Sequence, residues 1–89
     1  MLESQVQIQN KLGLHARASA AFASTAHRFQ ADVTLIRGYA EVNGKSIMGI
    51  MMLAAAKGTF LTLRTHGSDE VEAMLALETL ILNRFGEAE

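Results

Sequence analysis

Residues 32–43 read Asp-Val-Thr-Leu-Ile-Arg-Gly-Tyr-Ala-Glu-Val-Asn. Two β-rich segments, Asp32–Arg37 and Ala40–Asn43, flank the two-residue loop Gly38-Tyr39, and glycine in its first position suits a type II′ turn. This stretch is therefore predicted to be an antiparallel hairpin. Upstream, Glu3–Gln9 alternates Val6 and Ile8 with glutamines and reads as a half-buried strand. Asn10–Leu14, containing Gly13, reads as a loop. Ala16–Arg28 is rich in alanine, and Ala18, Phe22 and Ala26 fall four apart, which predicts a helix. Downstream, Asn43-Gly44 ends the hairpin, and Ser46 precedes a short apolar helix, Ile47–Leu53. Lys57-Gly58 breaks the chain before Thr59–His66 alternates as a fourth strand. The last helix is predicted from Asp69 to about Phe85, with Asp69, Glu70 and Glu72 in its first turn, where the helix dipole favours anions. Its expected buried stripe is Val71, Met74, Leu77, Ile81 and Phe85, with Glu78 near that arc. The order βαββαβα predicts an α+β sandwich, one four-stranded antiparallel sheet with three helices on one face.

Eighty-nine residues are predicted to form a single domain, residues 1–89. A hydrophobic fraction of 49% against 19% charged residues excludes a disordered chain. Cysteine is absent, which excludes disulfides, thiolate metal sites and cysteine nucleophiles. The polar alternation at the start resembles neither a signal peptide nor a membrane anchor, so a cytoplasmic, monomeric domain without membrane insertion is expected. The net charge of −1 argues against a nucleic-acid partner. It hides a division. Between Lys11 and Arg64 there are seven Lys/Arg and two acids (+5), whereas Thr65–Glu89 holds six acids and one Arg (−5), and Glu3 makes the difference.

Of the three histidines, His27 near a helix C-terminus and His66 beside Gly67 read as capping or turn residues. No two histidines share a metal-ligand spacing and no carboxylates pair with them, so no metal or other cofactor is expected. His15 differs, because it joins a glycine-containing loop to a helix in Gly13-Leu14-His15-Ala16-Arg17. At the N-cap its ring is expected to lie over the free N–H groups of Ala16 and Arg17, which with the dipole make an anion site. Arg17 adds a guanidinium fork suited to phosphate oxygens. An imidazole held there can attack phosphorus through an unprotonated nitrogen. An ordinary capping histidine is the competing reading.

The second unusual segment is Ser46–Leu53 (Ser-Ile-Met-Gly-Ile-Met-Met-Leu). On a helical wheel Ile47, Met48, Met51 and Met52 lie on one side and Ile50 and Leu53 on the other. A domain this small cannot surround such a helix, so a methionine-rich exposed patch is expected. Ser46 is its natural N-cap. Phosphorylated, it would place about two negative charges at a helix start beside that patch.

Leu12-Gly13-Leu14-His15-Ala16-Arg17 resembles the phospho-acceptor loop of the HPr family, the histidine-containing phosphocarriers of the phosphoenolpyruvate:sugar phosphotransferase system. Asn43–Leu53 resembles the regulatory-serine segment of the same family, followed by its Ala56-Lys57-Gly58 turn. The resemblance covers essentially the whole chain and implies an open-faced β-sandwich. It implies that His15 accepts a phosphoryl group on Nδ1 from phosphorylated Enzyme I and passes it to an EIIA domain, with Arg17 neutralising the phosphate. The chain would then be a carrier consumed and regenerated each cycle, and not an enzyme. Ile47, Met48 and Met51, with Ala16 and Ala20 on the first helix, would form the docking surface, and Ser46 would be the target of an HPr kinase/phosphorylase. The basic middle of the chain suits partners with acidic rims.

The family usually carries proline where this chain has Ala18. Alanine keeps the helix and costs no backbone donor, so phosphotransfer is expected to survive with a looser loop. A nitrogen-related (NPr-type) carrier shares the histidine loop, although Lys45-Ser46-Ile47-Met48-Gly49 leans towards HPr. From a different class, a ferredoxin-like ligand-binding module fits the βαββαβ order. Thiol-dependent metal chaperones are excluded by composition, and an RNA-recognition module lacks the sheet aromatics.

Overall fold

Alternation decides the orientation of every strand. In the computed structural model, which describes residues 1–89, Val33 and Leu35 face inward from strand β2 (Asp32–Arg37), while Leu61, Leu63 and Thr65 do so from β4 (Phe60–His66). Strands β1 (Leu2–Gln7) and β3 (Ala40–Asn43) complete the sheet, in the order β1-β4-β2-β3, and every neighbouring pair is antiparallel. The hairpin is as expected: Arg37 pairs with Ala40 across Gly38-Tyr39, and Gly38 has φ +58°. Helices α1 (Ala16–Ala26), α2 (Ile47–Met52) and α3 (Glu70–Leu82) follow the predicted order, with α1 packed on both of the others and α3 against β1 and β4. The result is an open-faced sandwich whose bare sheet face carries Arg64, bonded to Glu3 on one side and Glu41 on the other.

Helices and sheet meet in one core. Phe22, Ile8, Leu35, Ile50, Leu61, Leu63 and Leu77 are its largest fully buried side chains. The row Ala18, Phe22, Ala26 is wholly buried, so α1 presents its small-residue face to the sheet and can approach it closely. Arg37 at the end of β2 donates to the carbonyls of Leu53 and Ala54 (2.7 and 3.1 Å), which caps α2 with a cation.

Several boundaries differ from the sequence reading. The first strand runs Leu2–Gln7, not Glu3–Gln9. Ile8 remains buried, but its backbone bonds to the turn, at Gly58 and Thr59, so the side-chain alternation outlasts the strand. The first helix stops at Ala26, where Arg28 N–H turns to Thr25 O in a tighter i to i+3 bond. The last helix ends at Leu82. Arg84 and Phe85 then take left-handed φ values of 55° and 56°, and Phe85 is buried from a 3-10 turn, Arg84–Gly86, and not from the helix. Val71 is exposed, and the buried stripe is Ala73, Met74, Leu77 and Ile81. The cause lies in the first turn. Thr65 Oγ1 donates to Glu70 O (2.9 Å) and Gly67 N–H to Glu70 Oε1 (3.0 Å), which holds Glu70 against the sheet and rotates Val71 outward.

Asp69, just before α3, accepts the backbone N–H groups of Gln30 and Ala31 at 2.9 and 2.8 Å. The Gln30 amide first, and then that of Ala31, hold its carboxyl below the ordinary range. A carboxyl lowered in the folded state contributes stability above its unfolded pKa of about 3.9, and that contribution fades as pH falls through the lower folded value. Asp69→Asn is expected to flatten the acid limb, so that urea midpoints taken from pH 6 down to pH 2.5 fall less steeply than in the parent. Parallel acid limbs would show that Asp69 contributes no such term.

Candidate functional site

The loop before α1 is fixed from both sides. Asn10, fully buried, donates from Nδ2 to Gly13 O (2.8 Å) and to Glu87 Oε1 (3.0 Å). Its Oδ1 has no partner, a desolvation cost that the two donated bonds must outweigh. Leu14 is buried and its N–H reaches Ala55 O at 2.9 Å, while Ser19 Oγ donates to Leu14 O (3.2 Å). His15 is thus carried between two anchored neighbours, at the N-cap of α1, with φ −76° and ψ −177°.

The ring does not cap the helix, contrary to the sequence expectation. Its Nε2 lies 2.6 Å from Glu87 Oε2, because the C-terminal segment folds back over the loop and brings an ionised carboxylate, a stronger partner than a backbone amide. Lys11 N–H bonded to Glu89 O holds that segment in place. Nδ1 makes no hydrogen bond, and the amides of Ala16, Arg17 and Ala18 have no backbone partner. The first helical bond runs from Ser19 N–H to His15 O. The loop therefore presents a free ring nitrogen next to a helix start, where the amides of the exposed residues Ala16 and Arg17 are free.

Arg17 is exposed and unpaired, and with Lys11, His15, Glu87 and Glu89 it lines an open depression. Glu87 is held below the ordinary carboxylate range, first by the Asn10 amide, then by the bond to His15 and the charges of His15 and Arg17.

The α2 segment divides as the helical wheel predicts. Ile50 and Leu53 are buried, while Ile47, Met48 (76% exposed), Met51 and Met52 (80%) face solvent. Ala16 is exposed and Ala20 half-buried on α1, the helix α2 packs against. Ser46 is the N-cap of α2, and its Oγ accepts Gly49 N–H at 3.0 Å. His27 is the C-cap of α1, with Nε2 2.9 Å from Lys45 O, and His66 ends β4 opposite Asp32. Both sit where the sequence reading put them, at a helix end and at a turn. No group of three His, Cys, Asp or Glu could hold a metal ion, and no helix is long and apolar enough to cross a membrane. Asn10 and Glu87 were not foreseen. No local signal marks them, since the site joins residues 72 apart in Gly86-Glu87-Ala88 and in the loop.

Residues 2–83 match the family model described as the PTS HPr component phosphorylation site. The phosphocarrier protein HPr of Neisseria meningitidis serogroup A is 57% identical over 89 residues, all of both chains. That of Cupriavidus necator is 55% identical, again over all of both chains. Among solved structures, HPr-C-His from Thermoanaerobacter tengcongensis superposes with a TM-score of 0.95 at 44% identity, covering all of both chains.

Proposed function

The chain belongs to the PTS HPr family and is a phosphoryl carrier, and from that premise we propose that His15 carries the phosphoryl group on Nδ1. One observation supports this reading above all: Nδ1 is the ring nitrogen left without a partner, beside the free amides of Ala16 and Arg17 that begin α1. The Nδ1 lone pair attacks phosphorus as the bond to the donor nitrogen of phosphorylated Enzyme I breaks, and the donor keeps that electron pair. The step reverses onto an EIIA domain. Arg17, exposed and unpaired, is free to bond the phosphate oxygens, and the amides of Ala16 and Arg17 supply fixed donors where its charge accumulates. Incubation with phosphoenolpyruvate and Enzyme I should add one acid-labile, hydroxylamine-sensitive phosphate, mapped to His15 by mass spectrometry. Phosphate found only on another residue would overturn the assignment.

Ile47, Met48 and Met51, flanked by Ala16 and Ala20, form the docking surface in this reading. A flexible, polarisable methionine face can repack against both Enzyme I and an EIIA domain. The names and identity of the relatives favour the HPr over the nitrogen-related branch, and family membership decides against a ferredoxin-like binding module.

Ser46 is the regulatory phosphorylation site in this reading, since its hydroxyl starts the helix that bears the methionine face. A phosphate there adds about two negative charges beside an apolar surface, which weakens docking of an acidic-rimmed Enzyme I. With ATP and an HPr kinase/phosphorylase, the parent should gain an acid-stable phosphate that Ser46→Ala removes. Equal labelling of the variant would exclude Ser46.

A further inference from the structure

We propose that Glu87 is a positioning residue for phosphoryl transfer, holding the ring proton of His15 on Nε2 so that Nδ1 keeps its lone pair. The inference rests on the assignment of His15 as the phosphoryl carrier, and it adds a residue beyond the segment matched by the family, which ends at residue 83.

Three facts of geometry carry it. Glu87 Oε2 lies 2.6 Å from His15 Nε2, and an ionised carboxylate only accepts, so Nε2 must donate. The other carboxylate oxygen accepts from Asn10 Nδ2 at 3.0 Å, and that amide is anchored in turn on Gly13 O at 2.8 Å. The carboxylate therefore cannot swing freely. The segment that bears it is tied down by buried Phe85 on one side and by Glu89 O, bonded to Lys11 N–H, on the other. Asn10, Glu87 and His15 form a relay of fixed orientation, in which a buried side chain positions a carboxylate and the carboxylate positions the ring.

The consequence for the reaction is a saved proton transfer. An imidazole with its proton on Nδ1 would have to lose it before attacking. With the proton on Nε2, Nδ1 forms the new N–P bond directly and no proton leaves. The ring becomes a phospho-imidazolium, still carrying Nε2–H, and the Glu87 carboxylate balances its charge. In onward transfer the N–P electron pair returns to the ring, which is again the neutral Nε2–H form.

Glu87→Gln separates this role from packing. The side chain keeps its size, and its Oε1 can still accept from Asn10, but its amide then donates towards Nε2. That favours the ring proton on Nδ1, the wrong nitrogen for attack. Long-range ¹H–¹⁵N correlation spectra of the unphosphorylated protein at neutral pH should show Nε2–H in the parent and a shift towards Nδ1–H in Glu87→Gln. Glu87→Ala should show a mixture. The rate of phosphate gain from phosphoenolpyruvate and Enzyme I should fall roughly tenfold or more in Glu87→Gln, and less in Glu87→Ala, with thermal midpoints close to the parent's. Parent-like ring shifts and rates in both variants would overturn the proposal, as would Nδ1–H in the parent. Failure of the parent to take phosphate on His15 would instead refute the carrier assignment, whatever the ring shifts show.

Discussion

His15→Ala is expected to abolish the acid-labile phosphate while lowering stability by only about 1 kcal/mol, since it removes one part-buried hydrogen bond and no helix cap. No other side chain can take over. Cysteine is absent. His27 closes α1 at its negative end, where an incoming phosphoryl group is repelled, and its Nε2 is already committed to Lys45 O. His66 sits at the far end of β4, opposite the carboxylate of Asp32. The loss of stability stays small because the His15 side chain makes one polar contact, with Glu87, and does not cap the helix. The usual cost of losing a helix cap, about 0.5–2 kcal/mol, therefore does not apply. Intact mass after incubation with phosphoenolpyruvate and Enzyme I reads the first half of this expectation, and urea midpoints read the second. A variant that still gains the hydroxylamine-sensitive phosphate would move the carrier role off His15.

The contrast between His15 and Glu87 shows what could be read in the sequence. His15 announces itself locally, because a glycine loop, a histidine and an arginine stand within five residues at a helix start. The strands and the hairpin were legible for the same reason: alternation and the Gly38-Tyr39 turn are properties of adjacent residues. Ile50 and Leu53 against Met48 and Met52 followed from a helical wheel alone, since α2 is short and its two faces carry different burdens. The last helix did not yield in this way. Val71, Met74, Leu75, Leu77, Leu80, Ile81 and Leu82 surround it with apolar side chains, so period alone cannot choose the buried arc. The choice is made by Glu70, tied to Thr65 and Gly67 on the strand before it. The chain past Leu82 was likewise hidden, because a left-handed turn at Arg84 and Phe85 has no marker in residues that are neither glycine nor asparagine. That unforeseen turn is what returns Glu87 to the histidine. The part of the site missing from the sequence reading is thus the part made by tertiary contact.

The charge division reads differently once the fold is known. Arg64 is absorbed by Glu3 and Glu41 on the bare sheet face, Arg37 by the carbonyls ending α2, and Lys45 by Phe29 O. Much of the apparent basic stretch is therefore structural. Arg17 is the cation left unpaired beside His15, so any positive potential at the loop rests more heavily on that one side chain than the count of seven suggests.

Gly13→Ala is expected to be the most damaging single change to the loop, lowering both stability and phosphate uptake. Gly13 has φ +68°, a conformation that costs a residue with a Cβ about 1–2 kcal/mol. Space is the larger obstacle. A Cβ built there would stand 2.4 Å from Ala55 O and 2.9 Å from Ala56 Cα, both backbone atoms that cannot rotate away. Relief requires the loop to part from residues 55–56, which breaks the 2.9 Å bond from Leu14 N–H to that same Ala55 O. Overpacking of this kind adds about 1–3 kcal/mol, so the total loss is expected to be several kcal/mol. That is a large share of the 5–15 kcal/mol typical of a native domain. The functional effect follows from the chain order. Gly13 O is an anchor for Asn10, Asn10 for Glu87, and Glu87 for the His15 ring, so displacement of one carbonyl loosens all three. Urea denaturation should show a markedly lower midpoint with an unchanged slope, and phosphate uptake should slow even at temperatures where the variant remains folded. Gly58→Ala is the matched control: its φ is also left-handed, at +90°, but its added Cβ meets nothing within 4 Å. If the two variants lose equal stability, backbone strain alone accounts for the effect and the close approach to Ala55 is not what holds the loop.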